Sequence, residues 1–250
     1  MNVAADGTGA PDGAGTYAGV LFDFSGTLLR IEPAESWLGA VLDEAGVALP
    51  PEELAATVRR LEEAGALPGG PSPRSVPGEL RELWAHRDRS AEEHRAAYTG
   101  LARQVPLPRP GLHEALYERH TTPEAWRPYP DTAEVLGALA ERGVPVAVVS
   151  NIGWDLRPVF RAHGLDPLVG AYVLSYEHGV QKPDPRLFAL GCEKLGLAPE
   201  EVLMVGDDAR ADGGAVALGC GFLQVAHLPL AERPDGLRPV LGRARTGGIA

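Results

Sequence analysis

Lysine is almost absent from this chain. Of 23 basic residues only Lys182 and Lys194 are lysine, and the rest are arginine. Cysteine is as scarce, with Cys192 and Cys220 alone among 250 residues. Two cysteines build no disulfide framework and fit a reduced, cytoplasmic protein. No apolar run approaches the roughly 18–20 residues that carry a helix across a bilayer, so no membrane partner is expected. Net positive charge is missing too. A formal charge of −11 speaks against nucleic acid as the main partner. It leaves room for an anionic substrate, because a bound divalent cation reverses the local field. Residues 1–16 are rich in Gly and Ala and lack the basic and apolar regions of a signal peptide; they read as a flexible tail.

What is present suffices for a large folded unit. Apolar residues make up 44% of the chain, enough for one large domain or a core with an insert. The stretch Gly19-Val20-Leu21-Phe22-Asp23-Phe24-Ser25-Gly26-Thr27 is the organising one. An apolar run of strand length ends on a carboxylate and then turns at glycine. A buried parallel strand reads this way and delivers Asp23 to its carboxyl end, where open α/β sheets bind ligands. Taken alone, Asp23 is a metal ligand, a nucleophile or a strand-end polar residue.

The next hundred residues read as helical. Trp37, Leu38, Val41 and Leu42 recur at helical spacing, and Leu54, Val58 and Leu61 follow Pro50-Pro51. Pro68, Pro71, Pro73 and Pro77, with Gly69, Gly70 and Gly78, mark a loop. A third helical stretch carries Leu80, Leu83, Trp84 and later Tyr98 and Leu101; a shorter one carries Leu112 and Leu116. Alternation of strand and helix resumes after Pro130, where Asp131 and Glu134 fit a capping box. Apolar strands are expected at 146–149, 171–174, 202–205 and 222–225, with a helix capped by Asp184 between the second and third of them. The expected fold is α/β: a doubly wound, parallel-sheet, Rossmann-like core formed by residues 17–32 and 128–230, with a helical cap at 33–127. Residues 231–250, rich in Pro, Arg and Gly, read as a loose C-terminal tail.

Polar groups collect at the strand ends: Asp23 after the first, Ser150 and Asn151 after the second, Asp207, Asp208 and Asp212 after the fourth. Lys182 lies on the loop before a helix. In a parallel sheet these ends share one edge, so the groups converge. Carboxylates that meet repel unless a hard cation joins them, and oxygen ligands suit Mg²⁺. A lysine with a hydroxyl and an amide beside it supplies donors to phosphate oxygens.

These segments, in this order, resemble the four motifs of the haloacid dehalogenase superfamily: Asp23-Phe24-Ser25-Gly26-Thr27, Ser150-Asn151, Lys182-Pro183 and Gly206-Asp207-Asp208 with Asp212. The resemblance implies a hydrolase, most simply a phosphatase acting on a small phosphorylated substrate. Asp23 would be the nucleophile. The Asp23 carboxylate, the Ser25 carbonyl, Asp207 and Asp212 would hold Mg²⁺. Ser150 and Lys182 would bind the transferring phosphoryl oxygens, assisted by Asn151 and by the segment Ser25, Gly26 and Thr27.

Ser25 departs from the phosphatase pattern, which carries a second aspartate there for proton transfer. A serine hydroxyl titrates far too high for that work, which contributes about 10²–10⁴-fold. Four readings follow: a phosphatase limited to good leaving groups or with its acid elsewhere, as in the cap or the substrate; a phosphotransferase with a long-lived phosphoenzyme, as threonine in the family's transport ATPases suggests; carbon–halogen or carbon–phosphorus cleavage; or a binding module that kept the site but lost turnover. Family dehalogenases carry a bulkier tyrosine at this position and use no metal, whereas Asp207 and Asp212 here favour one. Phosphonatases need a cap lysine, and this cap has none. Of the histidines, His178 and His227 are candidates for the site edge, and the rest read as packing or surface. Trp37, Trp84 and Trp126 read as helix anchors, Trp154 as a site wall or core residue. Arg74, Arg81, Arg87 and Arg89 are the cap cations that could meet an anionic substrate.

Overall fold

The computed structural model describes residues 16–245, so the tail expected at 1–16 lies, but for its last residue, outside the described residues. The first strand, β1 (Gly19–Phe22), is buried along its whole length. Val20 and Phe22 pack into a core on one face of the sheet, Leu21 into a second core on the other. Two-sided burial leaves no polar face to alternate with, which is why the strand reads as one apolar run.

After a turn come β2 (Leu29–Ile31) and five helices: α1 (Ala34–Glu44), α2 (Pro51–Ala64), α3 (Arg81–His86), α4 (Ala91–Ala102) and α5 (Leu112–His120). The chain returns through β3 (Trp126–Pro128), which pairs antiparallel with β2, Ile31 opposite Trp126. This ribbon is the neck of the helical insert. Strands of three residues carry too little alternation to be read from sequence. The third helical stretch is two helices rather than one. Ser90 caps α4 by accepting from the Glu93 amide at 3.1 Å, and a one-turn 3-10 helix, Arg87–Arg89, separates it from α3.

The rest alternates as expected: α6 (Thr132–Glu141), β4 (Val146–Ser150), α7 (Arg157–Ala162), β5 (Ala171–Leu174), α8 (Ser175–His178), α9 (Pro185–Leu195), β6 (Val202–Gly206), β7 (Gly221–Gln224) and α10 (Pro239–Arg243). Five strands form one parallel sheet in the order β5-β4-β1-β6-β7. The chain builds outward from β1 in one direction, then crosses over to build in the other. That reversal opens a crevice at the carboxyl ends beside β1. The Asp23 amide donates to the Val205 carbonyl at 2.9 Å, so the main chain holds Asp23 at the crevice.

Two expectations fail in the C-terminal third. Asp131 makes no side-chain cap to α6. Its Oδ2 instead accepts from the Leu237 and Arg238 amides at 2.7 and 3.2 Å, while Glu134 pairs with Arg238 at 3.0 Å. Those contacts come from the segment read as a loose tail. Up to residue 245 it is packed: Leu237 and Val240 are fully buried, and Arg233 is only 4% exposed. Its proline and arginine content conceals a few apolar anchors whose partners are distant in sequence. Residues 246–250 lie outside the described residues. Among the described residues no helix is long and apolar enough to cross a membrane.

Candidate active site

Asp23 follows β1 directly and Asp207 follows β6, while Asp212 opens the 3-10 helix Asp212–Leu218. Lys182 approaches from the loop before α9. Its Nζ donates to Asp23 Oδ1 at 2.7 Å and to Asp212 Oδ1 at 2.6 Å. Oxygens of Asp23, Asp207 and Asp212 all lie within 4.8 Å of one another. Residues spread over nearly two hundred positions thus meet at one sheet edge, as the strand-end argument expects.

Asn151 serves the lysine. Its Nδ2 donates to the Lys182 carbonyl at 3.0 Å, and its Oδ1 accepts from the Lys182 amide at 2.6 Å. Asp208 serves Asp212: its amide donates to Asp212 Oδ2 at 3.0 Å, while its own Oδ1 caps the turn by accepting from the Arg210 and Ala211 amides. Thr27, fully buried, donates from Oγ1 to Asp207 Oδ1 at 3.4 Å. His227 approaches the other oxygen of Asp207, Nδ1 to Oδ2, at 2.5 Å. Gly26 makes this approach possible. Its φ is +82°, and a Cβ there would fall 2.4 Å from His227 Nδ1 and 2.5 Å from Asp207 Oδ2.

Three carboxylates share one ammonium, and the imbalance is felt at Asp23. Burial raises its pKa most; Asp212 and Asp207 add to the rise, and Lys182 opposes it without cancelling it, leaving the carboxyl pushed up to about 8. Asp212 is raised for the same first reason, burial, again against Lys182. Lys182 is raised above the ordinary lysine range, because its two carboxylate partners outweigh its own desolvation. A magnesium ion fits here: the donors are hard oxygens, and the cluster carries more negative charge than Lys182 offsets.

The cluster forms the floor of a cavity of about 650 Å³. Ser25, Asn151 and His227 lie on its wall; the insert closes it with Gly69, Trp84, Arg87, Asp88 and Tyr98. Several expectations need correcting. Ser150, the last residue of β4, is 2% exposed and is not among the residues that line the cavity. His178 is exposed on α8 and also off the wall, leaving His227 as the histidine at the edge. Trp84, read as a helix anchor, faces the cavity, and of the four cap arginines only Arg87 does. Trp154 packs beneath the site, its ring 6.2 Å from Phe24 and 6.1 Å from Trp126. Sequence pattern alone does not mark Gly69, Asp88 or Arg233 for the places they take. Only Gly69 carried a local signal, the glycine-proline loop around it.

A family model described as haloacid dehalogenase-like hydrolase matches residues 17–218. The chain is 34% identical over 119 residues to (S)-2-haloacid dehalogenase 4A of Burkholderia cepacia, which covers 47% of this chain and 50% of that protein. It is 31% identical over 211 residues to a phosphoserine phosphatase of Thermus thermophilus, covering 77% and 82%. The chain therefore spans about half the length of the first of these relatives and most of the second. Its fold is similar to that of L-2-haloacid dehalogenase from Xanthobacter autotrophicus with chloropropionic acid covalently bound, with a TM-score of 0.61 at 22% identity over 94% of this chain and 91% of that one. Dehalogenases and phosphatases both stand among these relatives, and what they have in common with this chain is the family itself: it belongs to the haloacid dehalogenase-like hydrolases.

Proposed function

We propose that this chain is a magnesium-dependent phosphatase of small phosphorylated metabolites, working through an aspartyl-phosphate on Asp23. The observation that carries the reading is Lys182 Nζ, held 2.7 Å from Asp23 and 2.6 Å from Asp212. An ammonium fixed there faces whatever binds at Asp23, and a phosphoryl dianion is the group it suits. The cavity, about 650 Å³, is of the size that takes a small metabolite.

Asp23, Asp207, Asp212 and the Ser25 carbonyl would hold magnesium, which supplies charge neutralisation at the phosphoryl oxygens. The Asp23 carboxylate attacks phosphorus, and the bond to the leaving oxygen breaks as the Asp23–phosphorus bond forms. Water then attacks the same phosphorus, which frees Asp23 and releases inorganic phosphate. Lys182 holds the transferring oxygens, and Asn151 holds Lys182.

The test is a panel of phosphate esters assayed with and without magnesium, with Asp23→Asn as control and 2-chloropropionate as the opposing substrate. Magnesium-dependent phosphate release that disappears in Asp23→Asn is the expected result. Phosphate release that survives Asp23→Asn, or halide release without phosphatase turnover, overturns the reading.

A further inference from the structure

The 3-10 turn between α3 and α4 presents Asp88 to the cavity wall that Asp23, Ser25 and Lys182 also line. Asp88 is 3% exposed. Among the described residues its carboxylate accepts no hydrogen bond at ordinary distance. The basic groups beside it are Arg87 Nη2 at 3.6 Å and His94 Nε2 at 3.8 Å. The carboxylate is not among the buried polar atoms sealed without a partner and it lines the cavity, where a ligand can pair with it.

Its surroundings hold it in that condition. On its own turn, Arg87 engages the Trp84 carbonyl at 2.8 Å and stacks on the Trp84 ring at 3.9 Å. From α4, His94 is held neutral, its pKa driven well down first by burial, so its contact with Asp88 is not an ion pair. Tyr98 on α4 and Tyr117 on α5 are un-ionised, raised chiefly by burial. From the core side, α8 brings Glu177, which Arg157 holds at 2.8 Å, and His178. Lys182 lies near enough for its charge to act on Asp88. Burial raises the Asp88 pKa, and Arg87 and Lys182 oppose that rise without cancelling it. The Gln181 side-chain amide donates to the Ala85 carbonyl at 2.9 Å, which ties the end of α3, just before this turn, to the residue before Lys182.

Two residues after Asp23, Ser25 cannot move a proton; His227 on the same wall is engaged with Asp207, and Lys182 with Asp23 and Asp212, whereas Asp88 carries no such pairing. We propose that Asp88, from the helical insert, is the general acid and base of the reaction. The proposal rests on the phosphatase reading. Protonated Asp88 gives its proton to the ester oxygen as that oxygen leaves phosphorus with the bonding pair and Asp23 takes its place. The resulting carboxylate accepts a proton from the water that attacks the aspartyl-phosphate. Phosphate leaves, and Asp88 is protonated again. The insert then does more than cover the substrate: it completes the catalytic set, and does so only when it is closed over the core.

The test compares Asp88→Asn with the wild-type chain on an alkyl phosphate and on nitrophenyl phosphate, with magnesium present. On the alkyl ester, turnover falls about 10²–10⁴-fold, and the pH-rate limb contributed by Asp88 disappears. On nitrophenyl phosphate, whose leaving group needs no proton, a stoichiometric burst of nitrophenol persists while later turnovers are slow. The burst also reports that the variant is folded. Asp88→Ala with added formate is the second variant, and formate should restore part of the alkyl-ester rate. The proposal is overturned by Asp88→Asn turning over the alkyl ester within about threefold of wild type with an unchanged pH profile. Equal losses on both esters without a burst or formate rescue overturn it as well. Absence of Asp23-dependent turnover in the wild type removes the phosphatase reading itself, and with it this proposal.

Discussion

Arg233 reaches back 207 positions along the chain to donate from Nη1 to the Gly26 carbonyl at 2.7 Å. The same guanidinium donates to the Thr27 and Ala226 carbonyls and lies 3.1 Å over the Tyr129 ring. One side chain from the C-terminal segment therefore holds the turn after Asp23 and the strand end that carries His227. Arg233→Ala would leave buried carbonyls without donors. Each charged hydrogen bond is worth about 1.5–3 kcal/mol, and bonds from one guanidinium do not add in full, so a loss of about 3 kcal/mol and roughly 6–12 °C in melting temperature is expected for a chain of this size. Arg233→Lys keeps the charge but not the fork, and should fall between. A melting temperature unchanged in Arg233→Ala would show that the turn holds itself.

The contrast with Lys182 explains what could be read in advance. Asp23, Lys182, Asp207 and Asp212 belong to short segments with their own signature, and a parallel sheet places such segments together whatever the rest of the chain does. Arg233 has no such signature. It is one arginine in an arginine-rich segment, and its role depends on a tertiary contact. Asp88 sits in an acidic and basic helical surface, and only the break between α3 and α4 turns it inward. Asp131 is the opposite case. Its local pattern fits a cap, but the distant Leu237 and Arg238 amides claim its carboxylate.

Ser25→Asp restores a carboxylate at the position where phosphatases of the family carry one, and phosphate-ester turnover should rise. The size of the gain depends on what Asp88 already supplies. If the two carboxylates do the same work, Ser25→Asp should help the Asp88→Asn background far more than the wild type. Rates of the four combinations on an alkyl phosphate measure this coupling directly. Equal gains in both backgrounds would mean that the two positions act independently.

Gly69 limits how freely position 25 can be changed. Its φ is +77°, and a Cβ added to it would lie 2.6 Å from Ser25 Oγ and 2.9 Å from the Trp126 ring. Gly69→Ala faces a left-handed backbone costing about 1–2 kcal/mol, and it must also push the loop off the cavity. We expect kcat/KM to fall at least about tenfold while the melting temperature drops by only a few degrees, since one strained residue is worth little to a chain of this size. Unchanged kinetics would mean that the loop does not close over the reacting groups.

Acid stability offers a check on the packing beneath the site. His120 is fully buried among Tyr117, His94 and Trp154. Its Nδ1 donates to the Tyr117 carbonyl. Burial lowers its pKa to about 3. In the unfolded chain it titrates near the ordinary value of about 6.5. Between those two values the unfolded state binds a proton that the native state refuses, so stability from neutral His120 is present above about pH 6.5 and is lost on acidification, by up to about 1.4 kcal/mol per pH unit. The raised carboxylates of Asp23, Asp88 and Asp212 work with the opposite sign, so the raw stability curve mixes both effects. His120→Asn isolates the histidine, because the amide can still donate to Tyr117 but does not titrate. Urea unfolding of both chains should show wild type ahead at neutral pH, with the gap closing toward about pH 4. A gap that stays constant across that range would mean that His120 takes up its proton in the folded chain as readily as in the unfolded one.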